Sequence, residues 1–211
     1  MALALSRGDS ILFIGDSITD CGRRAGQVGP MGRGYPLLVS SRLSAKFPHL
    51  GLSFFNKGIS GDRIKDLAAR WGRDAVLLRP TIVSILAGVN DTWRKFDSGE
   101  ETSAAEFEAI FRRILEATRH ETSAALVLCE PFALPCGLVT GAWRQDLDPK
   151  IAAVRGLARE FGAVLVPLDD IFASAAAKAP VGYLAEDGVH PTNAGHGLIA
   201  QAWLRHVLDI E

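Results

Sequence analysis

Ser17 stands in Ile11-Leu12-Phe13-Ile14-Gly15-Asp16-Ser17-Ile18-Thr19-Asp20, and far along the chain Asp187 and His190 stand in Asp187-Gly188-Val189-His190-Pro191. Together a serine, a histidine and an aspartate can attack an ester. A serine hydroxyl is a poor nucleophile until a base takes its proton, and histidine suits that task because its ordinary pKa lies near neutrality. An aspartate just before the histidine, across a turn containing glycine, can reach the second ring nitrogen, hold its tautomer and stabilise the imidazolium that forms. Taken singly, Ser17 reads as a turn or cap serine, and His190 as a loop histidine beside a surface aspartate.

Attack on an ester carbonyl builds an oxyanion, which needs preorganised donors. Asn56-Lys57-Gly58-Ile59-Ser60-Gly61-Asp62 has the glycines for a tight loop whose backbone N–H groups can turn into a cleft. Gly88-Val89-Asn90-Asp91 offers the side-chain amide of Asn90 as a further donor. The other histidines lack an aspartate at comparable spacing: His49, His120 and His206 fall at the ends of predicted helices and read as solvated surface. His196 follows His190 closely, but no third ligand accompanies the pair at metal spacing and HExxH is absent, so neither metal nor cofactor is expected. The GxSxG elbow of ordinary α/β-hydrolases is also absent.

Such residues need elements to bring them together. Short apolar runs at Ser10 to Gly15, Leu52 to Asn56, Thr81 to Ala87, Ala124 to Glu130 and Ala163 to Leu168 read as strands. Helical spacing covers Tyr35 to Phe47, Ile64 to Leu78, Ala104 to His120, Leu147 to Phe161 and Asn193 to Leu208. This alternation predicts an α/β chain with a mostly parallel five-stranded sheet covered by helices on both faces, a three-layer α/β/α sandwich. The nucleophile and both donor segments directly follow predicted strand ends, the edge where open α/β sheets place ligands. Glycines 22, 26, 29, 32 and 34 with Pro30 crowd the segment after the first strand and predict a long loop bordering the site.

Composition bounds the alternatives. At 211 residues, with 48% hydrophobic and 22% charged content, the chain suits one globular domain over its whole length. A formal net charge of −1 with scattered lysines and arginines argues against a nucleic-acid partner. No apolar stretch approaches the roughly 20 residues of a membrane span and no signal peptide is visible, so a soluble protein is expected. Cys21, Cys129 and Cys136 form no CxxC pair and read as packing residues, which fits a cytoplasmic location.

Gly15-Asp16-Ser17, the glycine loop ending at Gly61, Gly88-Val89-Asn90-Asp91 and Asp187-Gly188-Val189-His190 resemble, in order, the four blocks of the SGNH or GDSL hydrolases. The resemblance implies a flavodoxin-like strand order 2-1-3-4-5. It makes Ser17 both nucleophile and first oxyanion donor through its N–H, Gly61 the second donor, Asn90 the third, and His190 the base oriented by Asp187. The stretches from Phe13, Asn56 and Gly88 onward look most like the intracellular bacterial xylan and xylo-oligosaccharide acetylesterases, which implies an acetylated sugar as substrate and a homo-oligomer. Trp93 and Arg94, just after the Asn90 block, and Tyr35, closing the glycine-rich loop, suit a pyranose-sized ligand. Asp16 is grouped with them as a substrate-binding candidate. Glu186 departs from the pattern, because an aromatic residue is expected just before the aspartate. The rival readings are a lysophospholipase or thioesterase of the same superfamily and a sugar-binding protein without turnover.

Overall fold

The computed structural model describes residues 2–23 and 28–211. Five strands, β1 (Ser10–Gly15), β2 (Ser53–Asn56), β3 (Ile82–Leu86), β4 (Ala125–Cys129) and β5 (Val164–Val166), form one parallel sheet in the order β2-β1-β3-β4-β5. Both the parallel sheet and its 2-1-3-4-5 order agree with expectation. Strand side chains alternate between faces, so Ile11 and Phe13 enter one core while Leu12 and Ile14 enter the other. That is why the run reads as continuously apolar rather than alternating.

The first core lies under α2 (Tyr35–Lys46), α7 (Leu168–Ala176) and α8 (Asn193–Leu208), where Val39, Phe172 and Trp203 pack. The second lies under α3 (Ile64–Asp74) and α5 (Ala104–Glu121), with Leu67, Trp71, Phe107 and Phe111. Helix α6 (Ala142–Glu160) serves both, sending Trp143 and Leu147 to the first core and Val154 and Leu157 to the second. Two short helices, α1 (Ser17–Asp20) and α4 (Val89–Asp97), follow β1 and β3. Register aligns Gly15 with Leu86 and Leu86 with Cys129, so the chain leaves three adjacent strands at one level. The segments carrying Ser17 and Asn90 therefore emerge side by side.

Several elements differ from the sequence expectation. The helix expected over Ile64 to Leu78 stops at Asp74, where Ala75 leaves helical geometry, and a 3-10 turn over Val76–Leu78 ends at Arg79 in the left-handed region. Helices α1, α4 and α7 were not expected. Helix α6 begins at Ala142 rather than Leu147 and carries Pro149 in its interior. Proline there removes one backbone hydrogen bond. Tertiary contacts of the first turn, Trp143 stacked on Phe96 and Arg144 paired with Asp169, override that local cost. Among the described residues no helix is long and apolar enough to cross a membrane.

Candidate active site

Ser17 opens α1 directly beyond β1. Its Oγ lies 2.9 Å from His190 Nε2, and His190 Nδ1 lies 2.6 Å from Asp187 Oδ2. A serine and a histidine 173 positions apart thus join one hydrogen-bonded chain with the aspartate. Asp187 is further fixed by its other oxygen, which accepts from the backbone N–H of Val189 at 2.9 Å and of His190 at 2.7 Å. The turn requires Gly188, with φ +86°, because a Cβ there would strike the carbonyl oxygens of Leu134 and Cys136. Burial pushes the Asp187 carboxyl up, but hydrogen bonds from the His190 ring and the two backbone N–H groups outweigh it and hold the pKa below its ordinary value. The carboxylate is therefore ionised where the imidazole works.

The two segments expected to carry donors meet each other past the end of β1. After β2 the chain continues pairing with β1 through Lys57 N–H to Phe13 O at 2.8 Å and Ile59 N–H to Gly15 O at 3.0 Å. Asn56 ties that loop down by accepting from Gly58 N–H and donating to Thr19 O and Met31 O. Gly61 then takes φ +88°, a conformation that side chains resist, with open space where a Cβ would stand. Asn90 Nδ2 donates to Asp62 O at 3.1 Å, coupling Asn90 to the loop that carries Gly61. An amide nitrogen has two hydrogens, so one stays free for a ligand. Of the glycine-rich segment, Gly26 lies outside the described residues. Its described ends are anchored near the same turn, Arg33 N–H donating to Cys21 O and Arg23 to Gly58 O.

The substrate-binding candidates divide. Trp93 is half-buried, its ring centroid 5.6 Å from that of His190, so it reaches the site. Tyr35 does not: it is wholly buried, its hydroxyl 3.0 Å from Thr19 Oγ1 and its ring edge-on to Phe13. Packing of α2 against the sheet turns it inward. Asp16 is also wholly buried, and its Oδ1 caps α1 by accepting from Ile18 N–H at 3.0 Å. Burial pushes its pKa up to about 7. Arg94 turns to Asp97, one helical turn on, and forms an ion pair there.

Two residues outside the sequence reading support the site. Arg70, buried on the apolar face of α3, donates to Gly15 O, Lys57 O and Asp62, and so braces the end of β1 against the donor loop. The available signal was an arginine placed between Leu67 and Trp71 on a helix's core face. Trp143 packs edge-on to Trp93 at 5.8 Å and buttresses it from α6. No spacing rule could have paired residues from those separate helices.

His196 is buried beneath Gly34, its Nδ1 accepting from Tyr35 N–H at 3.2 Å and its Nε2 3.2 Å from Cys21 Sγ. Desolvation, aided by the charge of His190, lowers its pKa to about 4. The unfolded chain binds a proton here below about pH 6.5 and the folded chain does so only near pH 4, so this contribution to stability is present above 6.5 and lost on acidification. Denaturant unfolding of His196→Gln should show the deficit against wild type shrinking between pH 7 and pH 4 by on the order of 3 kcal/mol. A deficit constant with pH would contradict it.

The comparisons with known proteins bear on the whole chain. Residues 13–198 match the GDSL-like Lipase/Acylhydrolase family. An acetylxylan esterase of Geobacillus stearothermophilus is 35% identical over 97% of this chain and 96% of its own, and its crystal structure superposes with TM-score 0.88. A Parabacteroides merdae protein named as a GDSL-like lipase superposes with TM-score 0.93 at 33% identity, covering 98% of both chains. Three solved variants of the Geobacillus esterase, described as catalytic mutants, change a serine, an aspartate and a histidine to alanine, with the histidine three positions after the aspartate. Directly before that aspartate the relative has a tryptophan, itself changed to isoleucine in another variant. Since the matched segment runs from the strand before Ser17 past His190, the chain belongs to the GDSL-like Lipase/Acylhydrolase family and is a carboxylic ester hydrolase.

Proposed function

We propose that this hydrolase removes acetyl groups from carbohydrate esters, such as acetylated xylo-oligosaccharides, through an acyl-serine intermediate. The carrying observation is the unbroken Ser17–His190–Asp187 hydrogen-bonded chain with the Trp93 ring packed on the imidazole. His190 Nε2 takes the Ser17 proton as Oγ attacks the acetyl carbonyl carbon. The oxyanion is held by Ser17 N–H, Gly61 N–H and the free amide hydrogen of Asn90. As the carbonyl re-forms, the C–O bond to the sugar breaks, and His190 returns the proton to the departing oxygen. Water, losing a proton to His190, then attacks the acyl-serine; the C–Oγ bond breaks, acetate leaves, and His190 returns the proton to Ser17 Oγ. Asp187 orients the imidazole in both halves.

The sugar must lie over His190, since its oxygen receives that proton, and Trp93 offers an indole face or edge there. The 35% identical acetylxylan esterase supports the same substrate class. Assembly into a homo-oligomer and a cytoplasmic location belong to the same reading. Exposed Leu138, Val181 and Tyr183 support the first, and three free cysteines support the second.

Acetylated xylo-oligosaccharides should give higher kcat/KM than octanoyl or longer esters. In Trp93→Ala the sugar ester should lose more kcat/KM than a small aryl acetate does, by about tenfold if one stacking contact of roughly 1.4 kcal/mol disappears. The comparison within one variant cancels any damage to His190 shared by both substrates. If kcat/KM climbs steadily from acetyl to octanoyl, or both substrates suffer equally, the lysophospholipase or thioesterase reading takes over.

A further inference from the structure

The cleft that His190 lines carries a carboxylate that the reaction does not use. Glu186 lies directly before Asp187, is exposed, and makes no hydrogen bond or ion pair among the described residues. With Asp187, His190, Pro191, Thr192 and Asn193 it lines an open cleft of about 380 Å³. No lysine or arginine is among the residues lining that cleft. Asp187 is already committed to the imidazole, which leaves Glu186 as the other carboxylate lining the cleft beside His190, the residue that protonates the departing alcohol in the proposed reaction.

The corresponding place in the acetylxylan esterase relative holds a tryptophan. An indole can stack on the apolar face of a neutral sugar, whereas a carboxylate cannot stack; it accepts hydrogen bonds from hydroxyls and attracts cations. We infer that Glu186 is a specificity-determining residue that selects the alcohol portion of the ester by charge, favouring a leaving group that bears an ammonium and rejecting one that bears a carboxylate. Within the acetylated-carbohydrate reading, on which this rests for its natural substrate, the preferred class becomes amino-sugar acetates, and uronic-acid acetates are disfavoured. At a separation of roughly 6 Å through water, one unit charge changes an interaction by about threefold in an equilibrium constant.

The test compares wild type with Glu186→Gln on two series of acetyl esters. One is a set of methyl pyranoside acetates in which the exocyclic group is trimethylammoniomethyl, hydroxymethyl or carboxylate. The other is a set of phenyl acetates carrying the same three charges. The wild-type to Glu186→Gln ratio of kcat/KM cancels the intrinsic reactivity of each ester. That ratio should be highest for the cation and lowest for the anion, with about three- to fivefold between successive members at low salt. The spread should shrink in about 0.5 M salt, where screening is strong. Equal ratios across the three charges in the series that is turned over would overturn the assignment. Loss of turnover on every pyranoside, with the charge order intact on the phenyl acetates, would sink the carbohydrate reading and leave Glu186 standing.

Discussion

Ser17→Ala should leave a folded protein whose kcat is lower by roughly four to six orders of magnitude, because members of such a triad act as a unit. In the proposed mechanism the hydroxyl is the group that forms the covalent intermediate; without it, His190 and Asp187 have only water to activate. Folding should be spared. The Ser17 side chain is only partly buried, its hydrogen bond goes to an exposed histidine, and α1 remains capped by Asp16. A stability change within about 1 kcal/mol is expected for such a position. Urea unfolding and burst kinetics with an aryl acetate measure the two halves. A variant that kept a tenth of the wild-type kcat would rule out Ser17 as the nucleophile.

Asn90→Ala should lower kcat by roughly 10²- to 10³-fold with little change in KM, the range for losing one oxyanion donor. The effect is asymmetric because the free amide hydrogen meets charge that exists only as the tetrahedral species forms, so ground-state binding hardly senses it. Asn90 also donates to Asp62 O, and its removal loosens the loop that carries Gly61. Loss of the tether alone would act on binding and stability as well as rate. A rise in KM with kcat unchanged would therefore make Asn90 a substrate-binding residue and remove it from the oxyanion site.

Much of this site was legible because its residues sit at punctuation points of the chain. The apolar run ending at Gly15 marks a buried strand, and the polar pair Asp16-Ser17 just past it sits at the sheet's edge. Asn90 follows β3 for the same reason. The pairing of Asp187 with His190 is local, set by one turn around a glycine, and local geometry is what a sequence encodes most directly. Strand order followed from the family resemblance; periodicity by itself reaches only a doubly wound sheet.

Side-chain direction beyond those points was not legible. Tyr35 has the chemistry of a sugar-binding residue, yet the docking of α2 onto Phe13 buries it. Asp16 shares a tripeptide with Ser17 but is wholly buried, where it caps α1. Arg70 looks like one more charge on an exposed helix until the ends of β1 and β2 converge on its guanidinium. Helix α6 starts early, against its own proline, since Trp143 finds Phe96 and Trp93 on another helix. By itself the sequence determined which groups are candidates to react, the strands that deliver them and the turn that pairs Asp187 with His190, all consequences of residue type and short-range spacing. Only the tertiary structure decided which side chains face the cleft, because that choice depends on how helices far apart in the chain pack against the sheet.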